Sequence, residues 1–279
     1  MVALSLLGLL MAGCSGKSET APASSGSATA QAVAAADADP DKQRRTATER
    51  RLAAGMAYLQ VQDLEGARRH ITRALELDPG SGAANNAMAL LYRAEGDRKR
   101  EEEYYRRALR KEPSFSAARN NYATLLYAEG RYKEAAEHLE RAAEDVNYDQ
   151  RGMAFYNLGR CRVRLGDLEG ADAAFQRAVR LDSRRPEPLL AMAELGLQRA
   201  RYREAWAYYQ NWTAARTKQT AGTLLLGIRI AEKVGNKDAV ASYELQFDKF
   251  FSGTPQHKAW KAWRAGGPEP GVASGDGAL

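Results

Sequence analysis

The sequence predicts an all-α protein: six antiparallel helix pairs stacked into a right-handed superhelix and closed by a short C-terminal helix. Three observations carry this. The 279 residues are rich in Ala, Leu, Arg and Glu, all good helix formers. A turn phrase of the Gly-Asp-Leu type, ending on a small residue, returns along the chain at Ala67, Ala135, Ala171, Ala205 and Ala239, with a degenerate copy at Gly96–Glu101. Aligning on that phrase divides the chain into windows 48–81, 82–115, 116–149, 152–185, 186–219 and 220–253, each 34 residues long and interrupted only by Gln150-Arg151.

Each position has a physical reason. Position 8, in the first helix of a pair, must be small where the second helix crosses closely; it holds Gly55, Ala89, Ala123, Gly159, Ala193 and Gly227. Position 20 opens the second helix against the same contact. Position 24 supplies a large wedge: Ile71, Tyr105, Leu139, Phe175, Tyr209 and Tyr243. Position 27 is small in the first four units, and Trp212 and Gln246 replace the small residue in the last two. Pro79 and Pro113 stop the first two second helices, because proline cannot extend the backbone ladder. A 34-residue helix–turn–helix period of this pattern is the tetratricopeptide repeat. Glu101 occupies position 20 of the second repeat, where a carboxylate at a close contact is costly. It predicts either a splayed, loosened repeat or a hinge. Thr254 and Pro255 read as the N-cap and first residue of a capping helix to about Arg264. Trp260 and Trp263 on that helix are expected to seal the last repeat, with an exposed docking pair as the alternative.

The folded part is expected over 42–264. Residues 1–13 (MVALSLLGLLMAG) are uncharged and too short to span a bilayer, but match the apolar core of a secretory signal. Cys14 follows Leu10-Met11-Ala12-Gly13, which resembles a bacterial lipobox and makes Cys14 the expected lipidation site; the alternative is an incidental cysteine. Lys17 is the first basic residue, so either the start lies upstream or the signal is weak. Residues 14–41, nearly without large apolar side chains, read as a disordered tether, and 265–279 as a Gly/Pro-rich disordered tail.

First-helix positions 2, 5, 9, 12 and 13 line the concave face of such an array. They supply Leu52, Met56, Leu59, Asn86, Leu90, Asn120, Thr124, Tyr127, Met153 and Tyr156 as the candidate partner-binding groove. Arg93, Arg160, Leu190, Glu194, Leu224 and Ile228 continue the same face. Asparagine amides can hold a peptide backbone while Leu, Met and Tyr take its side chains. The net charge of +6 (41 Lys+Arg, 35 Asp+Glu) is scattered and does not point to nucleic acid. Two cysteines and three histidines, the latter in different repeats or in the cap, leave little for a metal site or a catalytic set. Cys161, in a first helix, reads as core. The chain is therefore expected to be a binding protein and not an enzyme, with no cofactor, no metal and no small-molecule substrate.

Three stretches carry a family resemblance: RNNYATLLYAEGRYKEAAEHLERA (119–142), NYDQRGMAFYNLG (147–159) and LLLGIRIAEKVGNKDAVASYELQFDKFFSGTP (224–255). With the lipobox and the tether they resemble the PilF/PilW lipoproteins of type IV pilus biogenesis. The resemblance implies a pilotin: a protein lipid-anchored at Cys14 to the outer membrane and facing the periplasm. It also implies that the repeat groove binds the pilus secretin subunit and promotes the secretin's localisation and multimer assembly. The alternative is another periplasmic repeat lipoprotein, an adaptor for peptidoglycan enzymes or outer-membrane protein assembly.

Overall fold

The computed structural model describes residues 39–215 and 218–270. The expected signal peptide, Cys14 and most of the tether and tail lie outside the described residues. The chain divides into two units, 1–45 and 46–279. Of the first, only 39–45 are described, an exposed segment that enters a helix at Pro40.

Among the described residues every regular element is an α-helix, thirteen in order. The first repeat is α1 (Pro40–Gln60) and α2 (Leu64–Leu77); the second is α3 (Gly82–Glu95) and α4 (Arg98–Lys111). The third is α5 (Ser116–Ala128) and α6 (Tyr132–Glu144); the fourth is α7 (Arg151–Arg164) and α8 (Leu168–Leu181). The fifth is α9 (Pro186–Gln198) and α10 (Tyr202–Ala214), the sixth α11 (Ala221–Lys233) and α12 (Lys237–Phe251), and the cap is α13 (Pro255–Arg264). These are the six pairs and capping helix of a tetratricopeptide array. The extra Gln150-Arg151 is absorbed in the 145–150 connection, where the Arg151 Nε–H donates to Ala143 O at 2.6 Å.

Local chemistry sets the boundaries. Asp63, Asp97, Asp167 and Asn236 cap second helices by accepting the backbone N–H three residues on, at 2.8–3.0 Å. The residue before each of these caps turns into the left-handed region. Gly96, Gly166 and Gly235 adopt φ of 74–80° there without steric cost, and in the first repeat Gln62 must adopt φ 60°. Ala200 takes the same conformation, φ 57°, before the fifth second helix.

The position-24 wedges Ile71, Tyr105, Leu139, Phe175 and Tyr209 are all essentially inaccessible. Burying a side chain of this size contributes roughly 1.5–3 kcal/mol. They explain the small residue at position 8: a Cβ on Gly55 would lie 2.6 Å from Ile71 Cγ1, and one on Gly159 2.4 Å from the Phe175 ring. The core is a series of clusters, four joining neighbouring repeats and the last joining the sixth repeat to the capping helix. That is the nearest-neighbour architecture of a solenoid.

Two expectations change. Glu101 does not splay its repeat. It stays buried between α3 and α4, and its Oε1 accepts from Arg93 Nε at 2.7 Å. Arg93 Nη2 also donates to Asn121 O at 2.8 Å, so one guanidinium neutralises the carboxylate and ties the second repeat to the third.

The sixth repeat is displaced by one residue. In repeats two, three and five the N-cap of the first helix (Ser81, Phe115, Arg185) stands eight residues before position 8 and fifteen before the left-handed residue. Counting from Thr220, the same spacings reach Ile228 and Gly235, not Gly227. Position 20 becomes Val240 and position 24 Glu244, which leaves the core and pairs with Arg264 of the cap. Gly227 instead faces the preceding repeat, where a Cβ would meet Tyr209 Oη at 2.4 Å.

Candidate functional site

The first helices of repeats one to four carry the predicted groove residues, and the structure grades them by depth. Leu59 is buried among Ile71, Met88, Leu91 and Tyr92, with Leu52 and Met56 half-buried at the margin of that cluster. Leu90 borders both this cluster and the next, while Tyr127 packs at the edge of the third-repeat core. Tyr156 is buried and Met153 half-buried against Phe175 and its neighbours. Thr124 is exposed and its Oγ1–H donates to Asn120 O at 3.0 Å.

The asparagines form a ladder across the repeats. Asn121 Nδ2 donates to Asn86 Oδ1 at 3.1 Å, and Asn157 Nδ2 donates to Asn120 Oδ1 at 3.1 Å. Position 5 of one repeat thus bonds position 6 of the next, so both predicted asparagine oxygens are engaged within the chain. Asn121 and Asn157 were absent from the predicted set. The recurrence of asparagine at position 6 was the available signal.

The face carries ionisable side chains at the fourth and fifth repeats. Arg160 Cζ stands 4.5 Å from the Tyr127 ring centroid and 5.8 Å from that of Tyr156, linking two predicted residues by cation–π contact. Its Nε is buried without a hydrogen-bond partner among the described residues. Glu194, at the equivalent position of the next repeat, is 7% exposed and its Oε2 is likewise without a partner. Burial pushes its carboxyl up to about 8, since an apolar surrounding disfavours the charged form.

The C-terminal end is closed. Thr254 Oγ1 caps α13 by accepting from His257 N at 3.2 Å, and Pro255 is its first residue. Trp260 is buried against Leu224, Leu225, Ile228 and Phe247, with Trp263 beside it, so this tryptophan seals the last repeat. Leu224 and Ile228 are therefore core beneath the cap and not groove residues, as the one-residue displacement requires. Glu269 accepts from Arg229 Nε at 2.9 Å and covers the same helix.

Cys161 is fully buried and its thiol is pushed up to about 12 by that burial. Among the described residues no helix is long and apolar enough to cross a membrane.

Residues 52–114 and 114–184 each match a tetratricopeptide repeat family. The type IV pilus assembly protein PilF of Pseudomonas aeruginosa is 34% identical over 219 residues, 78% of this chain and 86% of that protein. The solved structure of Pseudomonas aeruginosa PilF superposes with a TM-score of 0.75 at 33% identity, covering 80% of this chain and 100% of that one. The crystal structure of PilW, a widely conserved type IV pilus biogenesis factor, gives a TM-score of 0.68 at 25% identity, covering 77% and 98%. Sequence and fold agree over most of the chain, and the chain belongs to the PilF family of type IV pilus assembly proteins.

Proposed function

We propose that this chain is a pilotin of type IV pilus assembly, held at the periplasmic face of the outer membrane by a lipid on Cys14. In this reading its first-helix face binds an exposed segment of the secretin subunit while the lipid drives delivery to the membrane. The observation that supports a binding role is the stripe of half-buried Leu52, Met56, Leu90, Tyr127 and Met153 along α1, α3, α5 and α7. Apolar side chains left partly open in a row, with the polar groups between them already bonded within the chain, suit the side chains of a docked segment. The closed C-terminal end confines that segment to the earlier repeats. The kinship with PilF supports the pilus context.

The test uses Met56→Glu together with Thr124→Arg, one half-buried and one exposed side chain, in the full-length protein. Secretin multimers in the outer membrane and pilus-dependent motility should fall sharply while the protein remains folded and abundant. Unchanged multimers would refute the assignment of this face. Palmitate labelling of wild type against Cys14→Ala tests the anchor separately, and equal labelling would remove it.

A further inference from the structure

A second feature lies away from the first-helix face. Between the second helices of repeats two and three, α4 and α6, is a cavity of about 460 Å³ lined by Arg106, Arg110, Arg119, Glu134, His138 and Arg141 among others. Arg106 pairs with Glu102 at 2.9 Å. The carboxylate among the lining residues, Glu134, accepts from Arg131 on both oxygens at 2.8 Å. Arg110, Arg119 and Arg141 form no ion pair among the described residues.

Arg119 is the informative one. It is 9% exposed, and its Nε and Nη2 donate to Pro113 O, which holds the loop that ends the second repeat. In the preceding repeat the neutral Asn85 does the same work, its Nδ2 donating to Pro79 O at 3.3 Å. The charge of Arg119 is therefore surplus to its structural task. Its Nη1 lies 3.4 Å from His138 Nδ1 on the cavity wall. Burial and the neighbouring Arg141 guanidinium both hold the Arg119 pKa below its usual value, and no carboxylate acts on it in the opposite sense. His138 is held down by burial, then by Arg119 and Arg141, against weaker opposition from Glu137 and Glu134. A neighbouring cavity of about 580 Å³ shares Arg119 and Arg141; its Asp145 accepts from Ser116 Oγ at 2.6 Å and is engaged there.

A buried guanidinium without a counter-charge is costly, and where Arg119 shares a cavity wall with the exposed, unpaired Arg110 and Arg141 an anion offsets that cost. We propose that this cavity binds an oxyanion, a carboxylate or phosphate group carried by a ligand, between Arg110, Arg119 and Arg141. The planar guanidinium fork suits either group.

The test follows the His138 ring by NMR in the full chain during titration with inorganic phosphate and, separately, glutarate, at constant ionic strength. Saturable shifts are expected, with the His138 pKa rising as the anion binds, because a nearby negative charge favours imidazolium. Arg119→Asn keeps a donor for Pro113 O, as at Asn85, and should weaken binding about tenfold, the loss of one charge-assisted hydrogen bond. The exposed Arg141→Gln should weaken it too and carries the test should Arg119→Asn fail to fold. Tighter binding of one anion supports the site and identifies the ligand's group. Absence of saturable shifts with both anions, or equal binding by wild type and a folded Arg119→Asn or Arg141→Gln, would overturn the proposal.

Discussion

Replacing Arg93 by alanine should be far more damaging than replacing its partner Glu101, although both substitutions break the same ion pair. The Glu101 side chain is 4% exposed, whereas that of Arg93 is 36% exposed. Arg93→Ala leaves a carboxylate buried between two helices with no counter-ion, which typically costs about 3–5 kcal/mol. It also removes the bond to Asn121 O and the guanidinium 5.6 Å from the buried Tyr105 ring. Glu101→Ala restores the alanine that repeats one, three, four and five place there, and the remaining guanidinium is hydrated and keeps Asn121 O. Its loss should stay within about 1 kcal/mol. The double variant should recover about 2 kcal/mol of the damage done by Arg93→Ala, a coupling well above the scatter of independent sites. Urea unfolding followed by far-UV circular dichroism measures all four corners of this cycle. Equal losses for the two single variants, adding without coupling in the double, would refute the account of why a glutamate is tolerated at position 20.

Three further outcomes follow from the same structure. Glu194, pushed up to about 8 in the folded state and ordinary when unfolded, takes up a proton on folding at pH 5–7. Its contribution is complete below the unfolded carboxylate range and is lost as pH rises through about 8, with a slope of up to about 1.4 kcal/mol per pH unit. Glu194→Gln should match wild type near pH 4 and exceed it in denaturant midpoint near pH 9; parallel pH profiles would contradict this. Ala200→Gly should raise the thermal midpoint by relieving φ 57°, worth about 0.5–1 kcal/mol net of the glycine's greater unfolded freedom, and a lower midpoint would count against it. Gly159→Ala sets a methyl group 2.4 Å from the Phe175 ring and should cost about 1–3 kcal/mol in urea unfolding, whereas no loss would mean that the ring moves freely.

The fold was legible because the repeat writes its steric demands on the chain every 34 residues: small at 8, wedge at 24, turn before 20. The sixth repeat misled because Gly227 and Ala239 supply small residues one place early, beside another neighbour. Cap chemistry is the better ruler there, since Thr220 and Gly235 fix the two ends of α11 irrespective of what the helix buries. Glu101 was visible as a conflict, but its solution lies eight residues earlier on the facing helix, where sequence order gives no hint of contact. The asparagine ladder joins residues 35 and 37 apart in sequence. Such pairs depend on how one repeat sits on the next, a geometry that composition and spacing do not encode.

The first-helix face carries polar groups of two kinds, and the difference shapes what can dock on it. Asn86, Asn120, Asn121 and Asn157 are bonded to one another and lock successive repeats together, so their replacement would loosen the scaffold before it touched a partner. The position-9 side chains behave differently. They run Met56, Leu90, Thr124, Arg160, Glu194 and, after the one-residue displacement, Arg229. The first two are apolar and half-open, the third is exposed, and the last is neutralised by Glu269. Arg160 and Glu194, on adjacent repeats, each retain a buried polar atom with no partner among the described residues. Such atoms are costly to leave unpaired, so the row changes from open apolar side chains at the N-terminal repeats to polar ones with unmet hydrogen bonds before the cap. A segment lying along this row gains by placing apolar side chains over Met56 and Leu90, and polar groups near Arg160 and Glu194. Reversing its direction would put apolar groups over those unmet polar atoms. On the proposed binding face, the order of side chains therefore favours one direction of a docked segment over the other.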